Sequence, residues 1–161
     1  MSRKVDLYLG LGSNMGEREL LLMRAVTLLD QALGSPAERI SRIIETPSWG
    51  FEGAPFLNMC VRYSLEALED PEAQALDVLA KVKEIENTLG RPQEPLFNDK
   101  GERIYHDRPI DIDLLFMGRL EMESETLTLP HPRIAERDFV KKPLKEIAKP
   151  SLKQAFPEIF A

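Results

Sequence analysis

The chain has 161 residues, of which 43% are hydrophobic and 30% charged, a balance that is typical of a globular domain and excludes a disordered or fibrous protein. Its 27 acidic and 21 basic residues give a formal net charge of -6, whereas nucleic-acid-binding surfaces normally show a basic excess. We therefore expect a single domain over residues 1–161, with no nucleic-acid partner.

A single cysteine, Cys60, excludes an intrachain disulfide and a thiolate zinc site, which fits a reducing cytoplasm. The first residues superficially resemble a secretory signal, but Asp6 and Gly10 interrupt the apolar run. We see no other run that could span a bilayer. We therefore expect a cytoplasmic protein that makes no membrane contact.

The first two predicted elements are a strand and a helix. Residues 5–11 are β-branched, aromatic and aliphatic, which predicts a buried strand that stops at Gly12. We interpret residues 10–16 as a tight turn, because they match neither glycine-rich nucleotide motif. Apolar residues then recur at helical spacing over 21–33, and Gly34 supplies the stop.

Two more strands and a second helix follow. Residues 39–46 predict a strand with imperfect alternation, and residues 57–65 alternate as a half-buried strand does. Pro71 begins a second helix, which Gly90 closes. Residues 91–108 show no periodicity, and loops of this length in a compact domain are usually functional or disordered.

A strand over residues 109–117 completes the order strand, helix, strand, strand, helix, strand. This is the βαββαβ order of a ferredoxin-like α+β sandwich, in which two helices cover one face of a sheet. We expect the other face to be partly open. The tail adds a hairpin around Gly118, a strand over 127–129, and short helices near 133–138 and 142–148.

Two carboxylates stand two residues apart in the last strand of this order. Asp111 and Asp113 therefore project from one face, while Ile112 projects toward the helices. Adjacent like charges are costly unless a cation neutralises them, and hard oxygen ligands suit Mg²⁺ bridged to phosphates. From spacing alone, a solvated sheet face is about as common. Arg108 is near enough to reach phosphates held there.

Three further features are consistent with a small anionic or heterocyclic ligand. Glu86 lies on the edge of a helical apolar stripe, where it either accepts from a ligand or forms a structural ion pair. His131, exposed on a turn between prolines, and Arg137 suit phosphate oxygens, although a loop histidine is more often surface filler. Asn58 beside Phe56 suits a flat heterocycle, although ordinary packing is more common.

Taken in chain order, these pieces resemble the 6-hydroxymethyl-7,8-dihydropterin pyrophosphokinase family of folate biosynthesis. The most specific match is Asp111-Ile112-Asp113 followed, at this separation, by Leu129-Pro130-His131-Pro132. That family has the ferredoxin-like fold predicted above. The other matching segments are Leu11-Gly12-Ser13-Asn14 with Gly16, Glu45-Thr46-Pro47 with Trp49-Gly50, Pro55-Phe56-Leu57-Asn58, Ile85-Glu86 with Gly90-Arg91, Arg108-Pro109-Ile110, and Glu136-Arg137 with Phe139.

The resemblance implies a reaction and its partners. The β,γ-pyrophosphoryl unit of ATP would pass to the hydroxymethyl oxygen of the pterin, with release of AMP. Two Mg²⁺ ions on Asp111 and Asp113 would orient the phosphates. The partners would be ATP and 6-hydroxymethyl-7,8-dihydropterin, and we expect a monomer, with an oligomer left open.

The resemblance also assigns residue roles. Arg91 and Arg108 match arginines of a mobile loop that closes over the triphosphate, so they join Asp111 and Asp113 as catalytic residues. The ATP contacts would be Glu86, Arg108, Ile112, Thr128, His131 and Arg137. The pterin contacts would be Thr46, Pro47, Trp49, Phe56, Asn58 and Phe139.

The chain departs from the family pattern at several positions. Where the family often has Trp-Gly-Pro-Arg, this chain has Tyr105-His106-Asp107-Arg108, and Lys83, Gln93 and Thr126 also differ from some members. Two alternatives are a non-catalytic ferredoxin-like binding module, with the aspartates as surface charges, and a pterin aldolase or epimerase. The latter needs a positioned acid and base and gives the carboxylate pair no role.

Overall fold

The computed structural model describes residues 3–47, 54–90, 96–97, 99–101, 103–104 and 109–161. Trp49, Arg91 and Arg108 lie outside these residues. The chain is a mixed helix and sheet protein, as predicted. Its elements are β1 (Lys4–Ser13), α1 (Arg18–Leu33), β2 (Arg39–Ile40), β3 (Ile44–Thr46), β4 (Phe56–Glu66), α2 (Pro71–Thr88), β5 (Leu96–Phe97), β6 (Arg103–Ile104), β7 (Asp111–Met117), β8 (Met122–Glu123), β9 (Thr128–Leu129), a 3₁₀ turn (Ile134–Glu136), α3 (Asp138–Ile147), α4 (Pro150–Ala155) and α5 (Pro157–Phe160).

The main sheet has the strand order β2-β4-β1-β7, and β3 also pairs with β4. The single strand predicted over 39–46 is therefore wrong, because the structure has two short strands there. Ser41 explains the break. Its hydroxyl accepts a hydrogen bond from the Cys60 N–H at 2.8 Å, so a side chain takes the place of the main-chain acceptor in the ladder.

Strand β1 is longer than predicted, and the tight turn expected over residues 10–16 is wrong for its first part. Gly10 and Gly12 lie inside the strand, which continues to Ser13. Glycine is a weak strand former. Here β1 pairs antiparallel with β4 on one side and with β7 on the other, and this double pairing holds both glycines in extended backbone.

Helices α1 and α2 cover one face of the sheet. Leu7 and Leu9 of β1 are fully buried against this layer, as are Leu22 and Leu29 of α1, while Val82 of α2 is nearly so. Apolar side chains that leave water in this way provide most of the driving force for folding. The helical spacing in the sequence correctly predicted this face of each helix.

The helix ends follow the local signals in the sequence. Gly34, directly after α1, adopts a left-handed φ of 73°, and Gly90, just past α2, has a φ of 96°. At the start of α2, the Asp70 carboxylate accepts the Ala73 N–H at 3.1 Å, and Pro71 occupies the first helical turn. Both arrangements satisfy main-chain groups that a helix end leaves without helical partners.

The C-terminal helices cover part of the opposite face. Tyr8 and Phe116 are buried there in a second apolar cluster with residues such as Leu144 and Phe156. The rings of Phe116 and Phe156 lie 5.2 Å apart between centroids, and the Lys149 N–H donates to the Tyr8 hydroxyl at 3.1 Å. This face is therefore covered at one end only, and a cleft remains beside the covered part.

Two smaller features differ from the sequence prediction. The hairpin expected around Gly118 lies later in the chain, where β8 pairs antiparallel with β9. Within the segment predicted to be irregular, 91–108, strands β5 and β6 pair through Leu96 and Ile104. Both ribbons are two residues per strand, too short for periodicity to reveal. In the part of the chain described, no helix is both long and apolar enough to cross a membrane.

Candidate active site

A cleft of about 600 Å³ runs over the open part of the sheet and reaches past the β7 edge to α2. The β8–β9 hairpin and the start of α3 form its other walls. It brings together every predicted site residue that the structure describes. These are Thr46, Pro47, Phe56, Asn58, Glu86, Asp111, Ile112, Asp113, Thr128, His131, Arg137 and Phe139.

The floor of the cleft is main chain at two positions of β1. In the sheet register, Gly12 lies between Asn58 of β4 and Asp111 of β7, and Gly10 pairs with Asp113. Because neither glycine carries a side chain, the space between the amide and the carboxylates stays open. The sequence prediction missed these two residues. Their two-residue spacing, which equals that of the aspartates, is the signal that could have found them.

The two glycines are not equally crowded. A Cβ atom on Gly12 would stand 3.1 Å from Asn58 Oδ1 and 3.4 Å from Phe56 Cδ1. The same atom on Gly10 would meet Leu115 at 3.5 Å, an ordinary van der Waals distance. A side chain at Gly12 therefore displaces groups of the cleft, whereas one at Gly10 fits.

The carboxylates of Asp111 and Asp113 form one wall. Both residues are half-buried, and the Ile112 side chain between them is buried on the opposite face, as the alternation in the sequence predicted. Arg137 Nη1 lies 4.0 Å from Asp113 Oδ2, at the limit of an ion pair. The wall thus combines two negative charges with a cation, and part of each carboxylate faces solvent.

Glu86 makes a main-chain contact that the sequence did not predict. Its side chain is buried, with 7% of the residue exposed, and its Oε2 accepts the Ile112 N–H at 2.8 Å. Strand β7 is an end strand of the described sheet, so this main-chain group is bonded from α2 rather than by a further strand. Glu86 therefore joins α2 to the main chain between the two aspartates.

Opposite the carboxylates, polar and aromatic side chains form a slot. Asn58 is buried, and its Nδ2 donates to Thr46 Oγ1 at 2.7 Å. Thr46 pairs with Phe56 in the register of β3 and β4. Phe139 lines the cleft from α3, with the Arg137 guanidinium 5.8 Å from its ring centroid. An amide held beside aromatic rings suits a flat heterocycle.

His131 is half-buried, so the prediction that it is exposed is wrong. Its main-chain N–H donates to Leu115 O at 3.0 Å, where β7 carries a bulge opposite Tyr8 and Leu9 of β1. The Arg133 N–H donates to Nδ1 at 3.2 Å, which leaves the proton of a neutral ring on Nε2. Bulges often occur beside active sites because they redirect the chain.

The pKa of His131 is lowered to about 4. Burial is the main cause, the positive charges of Arg137 and Arg133 add to it, and the negative charge of Asp111 opposes it. At neutral pH the ring is therefore uncharged. It contributes a hydrogen bond to the cleft, and the positive charge must come from other residues.

Basic side chains are concentrated locally in this acidic protein. Lys83, Arg133 and Arg137 line the cleft together with the carboxylates, as does Thr126. Cys60 also lines it, but burial raises the pKa of its thiol and the charge of Asp113 adds to this effect, so the thiol stays protonated. The cleft can therefore hold an anion and a cation side by side, without a thiolate nucleophile.

Known proteins resemble this chain along most of its length. The family model of 7,8-dihydro-6-hydroxymethylpterin-pyrophosphokinase (HPPK) matches residues 8–149. A Porphyromonas gingivalis protein named 2-amino-4-hydroxy-6-hydroxymethyldihydropteridine pyrophosphokinase is 42% identical over 144 residues, which cover 88% of this chain and 90% of that protein. A Bacillus subtilis protein of the same name is 38% identical over 149 residues, covering 92% of this chain and 81% of that protein.

A solved structure also has a similar fold. The crystal structure of an HPPK-DHPS in complex with substrates matches with a TM-score of 0.62, covering 99% of this chain and 43% of that longer chain. The sequence identity is 13%, so this likeness shows the fold alone.

The lowered pKa of His131 predicts a specific dependence of stability on pH. In the unfolded chain the ring has its ordinary pKa of 6.5, so between pH 6.5 and 4 the unfolded state binds the proton more readily. The contribution of the neutral His131 ring to the free energy of unfolding is therefore complete above pH 6.5 and is lost as the pH falls toward 4. We expect the free energy of unfolding to fall less steeply over this range in a His131→Gln variant.

Urea denaturation at closely spaced pH values measures this difference between the two proteins. The other histidine of the sequence, His106, provides the matched control as His106→Gln. Parallel curves for the unmodified chain and His131→Gln would contradict the neutral, buried state of His131.

Proposed function

The chain belongs to the 7,8-dihydro-6-hydroxymethylpterin-pyrophosphokinase family, and we propose that the cleft described above is where it transfers pyrophosphate. Its activity is that of the family, pyrophosphoryl transfer to 6-hydroxymethyl-7,8-dihydropterin in folate biosynthesis, with ATP as co-substrate. The relatives are named as this transferase, so neither a non-catalytic module nor an aldolase describes the chain. The residue roles below and a cytoplasmic location stay proposals.

Asp111 and Asp113 are the proposed ligands of two Mg²⁺ ions. In the described residues, no group of three or more His, Cys, Asp or Glu side chains could hold a metal ion. Two carboxylates without further protein ligands fit Mg²⁺, because this ion keeps several waters and is usually held by one or two carboxylates plus substrate phosphates. Held by these two carboxylates, Mg²⁺ would supply positive charge to the triphosphate and to the oxygens of an in-line displacement.

The nucleotide occupies the part of the cleft nearest the β7 edge. Arg137 supplies positive charge beside Asp113, and His131 donates a neutral hydrogen bond from Nε2 to a phosphate oxygen. Glu86, Ile112 and Thr128 line the adjoining stretch. Arg91 and Arg108, which lie outside the described residues, are proposed to close over the triphosphate. A mostly acidic chain can bind this anion because the basic residues are concentrated here.

The pterin occupies the slot over Gly12. The amide of Asn58, fixed by Thr46, pairs with the edge of the ring, while Phe56 and Phe139 contact its faces. Pro47 also lines the cleft, and Trp49, outside the described residues, is proposed to line the slot. The fixed amide matters because a preorganised group loses little entropy when the substrate binds.

The arrangement supports the following reaction. The hydroxymethyl oxygen of the pterin bonds to the β-phosphorus of ATP, and the bond from that phosphorus to the bridging oxygen breaks, so that this oxygen leaves with AMP. The hydroxyl proton passes to solvent. AMP and the pterin diphosphate result. The chain contributes chiefly by holding the two substrates in register across the glycine floor, since positioning and charge neutralisation dominate phosphoryl-type transfer.

We further propose that the fold is a ferredoxin-like sandwich within a single domain over 1–161. The two helices on one face and the strand order of the main sheet support this assignment, with β2 and β3 together taking the place of one strand. A monomer stays our expectation. The longer HPPK-DHPS structure shows only that the same fold also occurs in a larger protein.

One observation carries the proposal. The carboxylate pair on β7 and the Asn58 slot on β4 flank the two glycines of β1 and line the same cleft. The test of the proposal is incubation with Mg·ATP and 6-hydroxymethyl-7,8-dihydropterin, with AMP and ADP separated chromatographically. We expect AMP, and a loss of roughly 10³-fold or more in Asp111→Asn and Asp113→Asn, because several kcal/mol of charge stabilisation disappears.

Asp77→Asn is the matched control, because this aspartate is exposed on α2 and only pairs with Lys81 at 3.0 Å. It should leave turnover unchanged. ADP as the product would contradict pyrophosphoryl transfer, and full activity in the Asp111→Asn, Asp113→Asn double variant would refute the proposed metal site.

The glycine floor yields a second prediction. In Gly12→Ala the new methyl group displaces Asn58 and Phe56, so kcat/KM for the pterin should fall roughly tenfold to a hundredfold, equivalent to about 1.4–2.8 kcal/mol. Gly10→Ala, whose methyl group fits beside Leu115, should lose much less. Steady-state kinetics of both variants measures the difference, and equal losses would argue against a substrate over Gly12.

A further inference from the structure

We propose that Glu86 is a positioning residue for the reaction, which holds the backbone of β7 so that the two aspartates keep their spacing and direction. This inference rests on the proposed role of Asp111 and Asp113. It assigns to Glu86 a function that acts through the protein's own main chain, rather than through a nucleotide atom.

A buried hydrogen bond joins Glu86 to strand β7. Glu86 Oε2 accepts the Ile112 N–H at 2.8 Å, and both residues are buried, with 7% and 4% of their surfaces exposed. A charged acceptor that is shielded from water forms a strong hydrogen bond with a main-chain donor. The contact joins α2 to the residue that stands between the two carboxylates.

The position of β7 in the sheet makes this contact important. The described sheet ends with β7, which pairs with β1 on one side. The last strand of a sheet is bonded on one side only, so its outer main-chain groups need other partners. By bonding the outer side at Ile112, Glu86 supplies the constraint that a further strand would otherwise give.

The consequence for the site follows from the alternation of side chains along a strand. The directions of Asp111 and Asp113 are set by the backbone on both sides of Ile112. A small rotation of that backbone moves both carboxylates at once. Groups that orient metal ligands without touching the metal typically change metal affinity or activity by about 10–100-fold when they are removed.

Two substitutions of Glu86 separate this role from the alternatives. Glu86→Gln removes the charge but keeps an oxygen that accepts the Ile112 N–H, whereas Glu86→Ala removes the acceptor. Glu84, exposed two residues earlier on the same helix, provides controls with the same changes, Glu84→Gln and Glu84→Ala.

The first measurement is hydrogen exchange of the Ile112 amide by NMR in the protein without metal or nucleotide. We expect slow exchange in the unmodified chain, in Glu86→Gln and in both Glu84 variants, and exchange at least about tenfold faster in Glu86→Ala. Unchanged exchange in Glu86→Ala would overturn the proposal. This readout is independent of activity, so it also separates a failure here from a failure of the proposed function.

The second measurement is Mn²⁺ affinity in the presence of α,β-methylene-ATP, whose α–β link cannot be cleaved. Glu86→Ala should weaken Mn²⁺ binding about 10–100-fold and lower kcat with little change in KM for the pterin, while Glu86→Gln should recover most of both. If Glu86→Gln were as defective as Glu86→Ala, or if both weakened binding of the metal-free analogue, Glu86 would be a direct nucleotide contact and the inference would be wrong.

Discussion

The structure depends on the pairing of β1 with a strand on each side. This double pairing keeps Gly10 and Gly12 extended although glycine contributes little to a strand, and it brings Asn58 and Asp111 to opposite sides of the same main-chain surface. Two residues before Gly10, Tyr8 supports the C-terminal helices instead. One face of β1 therefore serves two purposes. Tyr8 supports the covered part of the sheet, and the glycines at positions 10 and 12 leave the cleft open.

Electrostatics follows from this geometry. In the proposed function, the two carboxylates would repel the triphosphate of ATP unless positive charge lay between them. Arg137 provides a fixed charge near Asp113, while the carboxylate pair has the donor chemistry to recruit divalent ions. The His131 ring stays neutral because burial and the neighbouring arginines lower its pKa. It therefore offers the cleft a hydrogen bond rather than a positive charge.

Much of this could be predicted from the sequence, because its signals are local. Pro71 and Gly90 mark helix ends through backbone restrictions that act within a turn, and the spacing of the two aspartates fixes their common face. The features that were missed depend on contacts distant in sequence. Gly12 is extended because of two neighbouring strands, Ser41 interrupts a ladder from 19 residues away, and Glu86 bonds a strand 26 residues later.

The proposed function places the metal ions on the Asp111 and Asp113 side of the glycine floor and the heterocycle on the Asn58 side. A crystal structure with Mn²⁺, α,β-methylene-ATP and 6-hydroxymethylpterin measures this most directly, because Mn²⁺ is located by its anomalous scattering. We expect Mn²⁺ to be bonded to both Asp111 and Asp113, and the pterin to lie over Gly12 with its edge on Asn58. Mn²⁺ away from these carboxylates, or the pterin outside the slot, would contradict this placement.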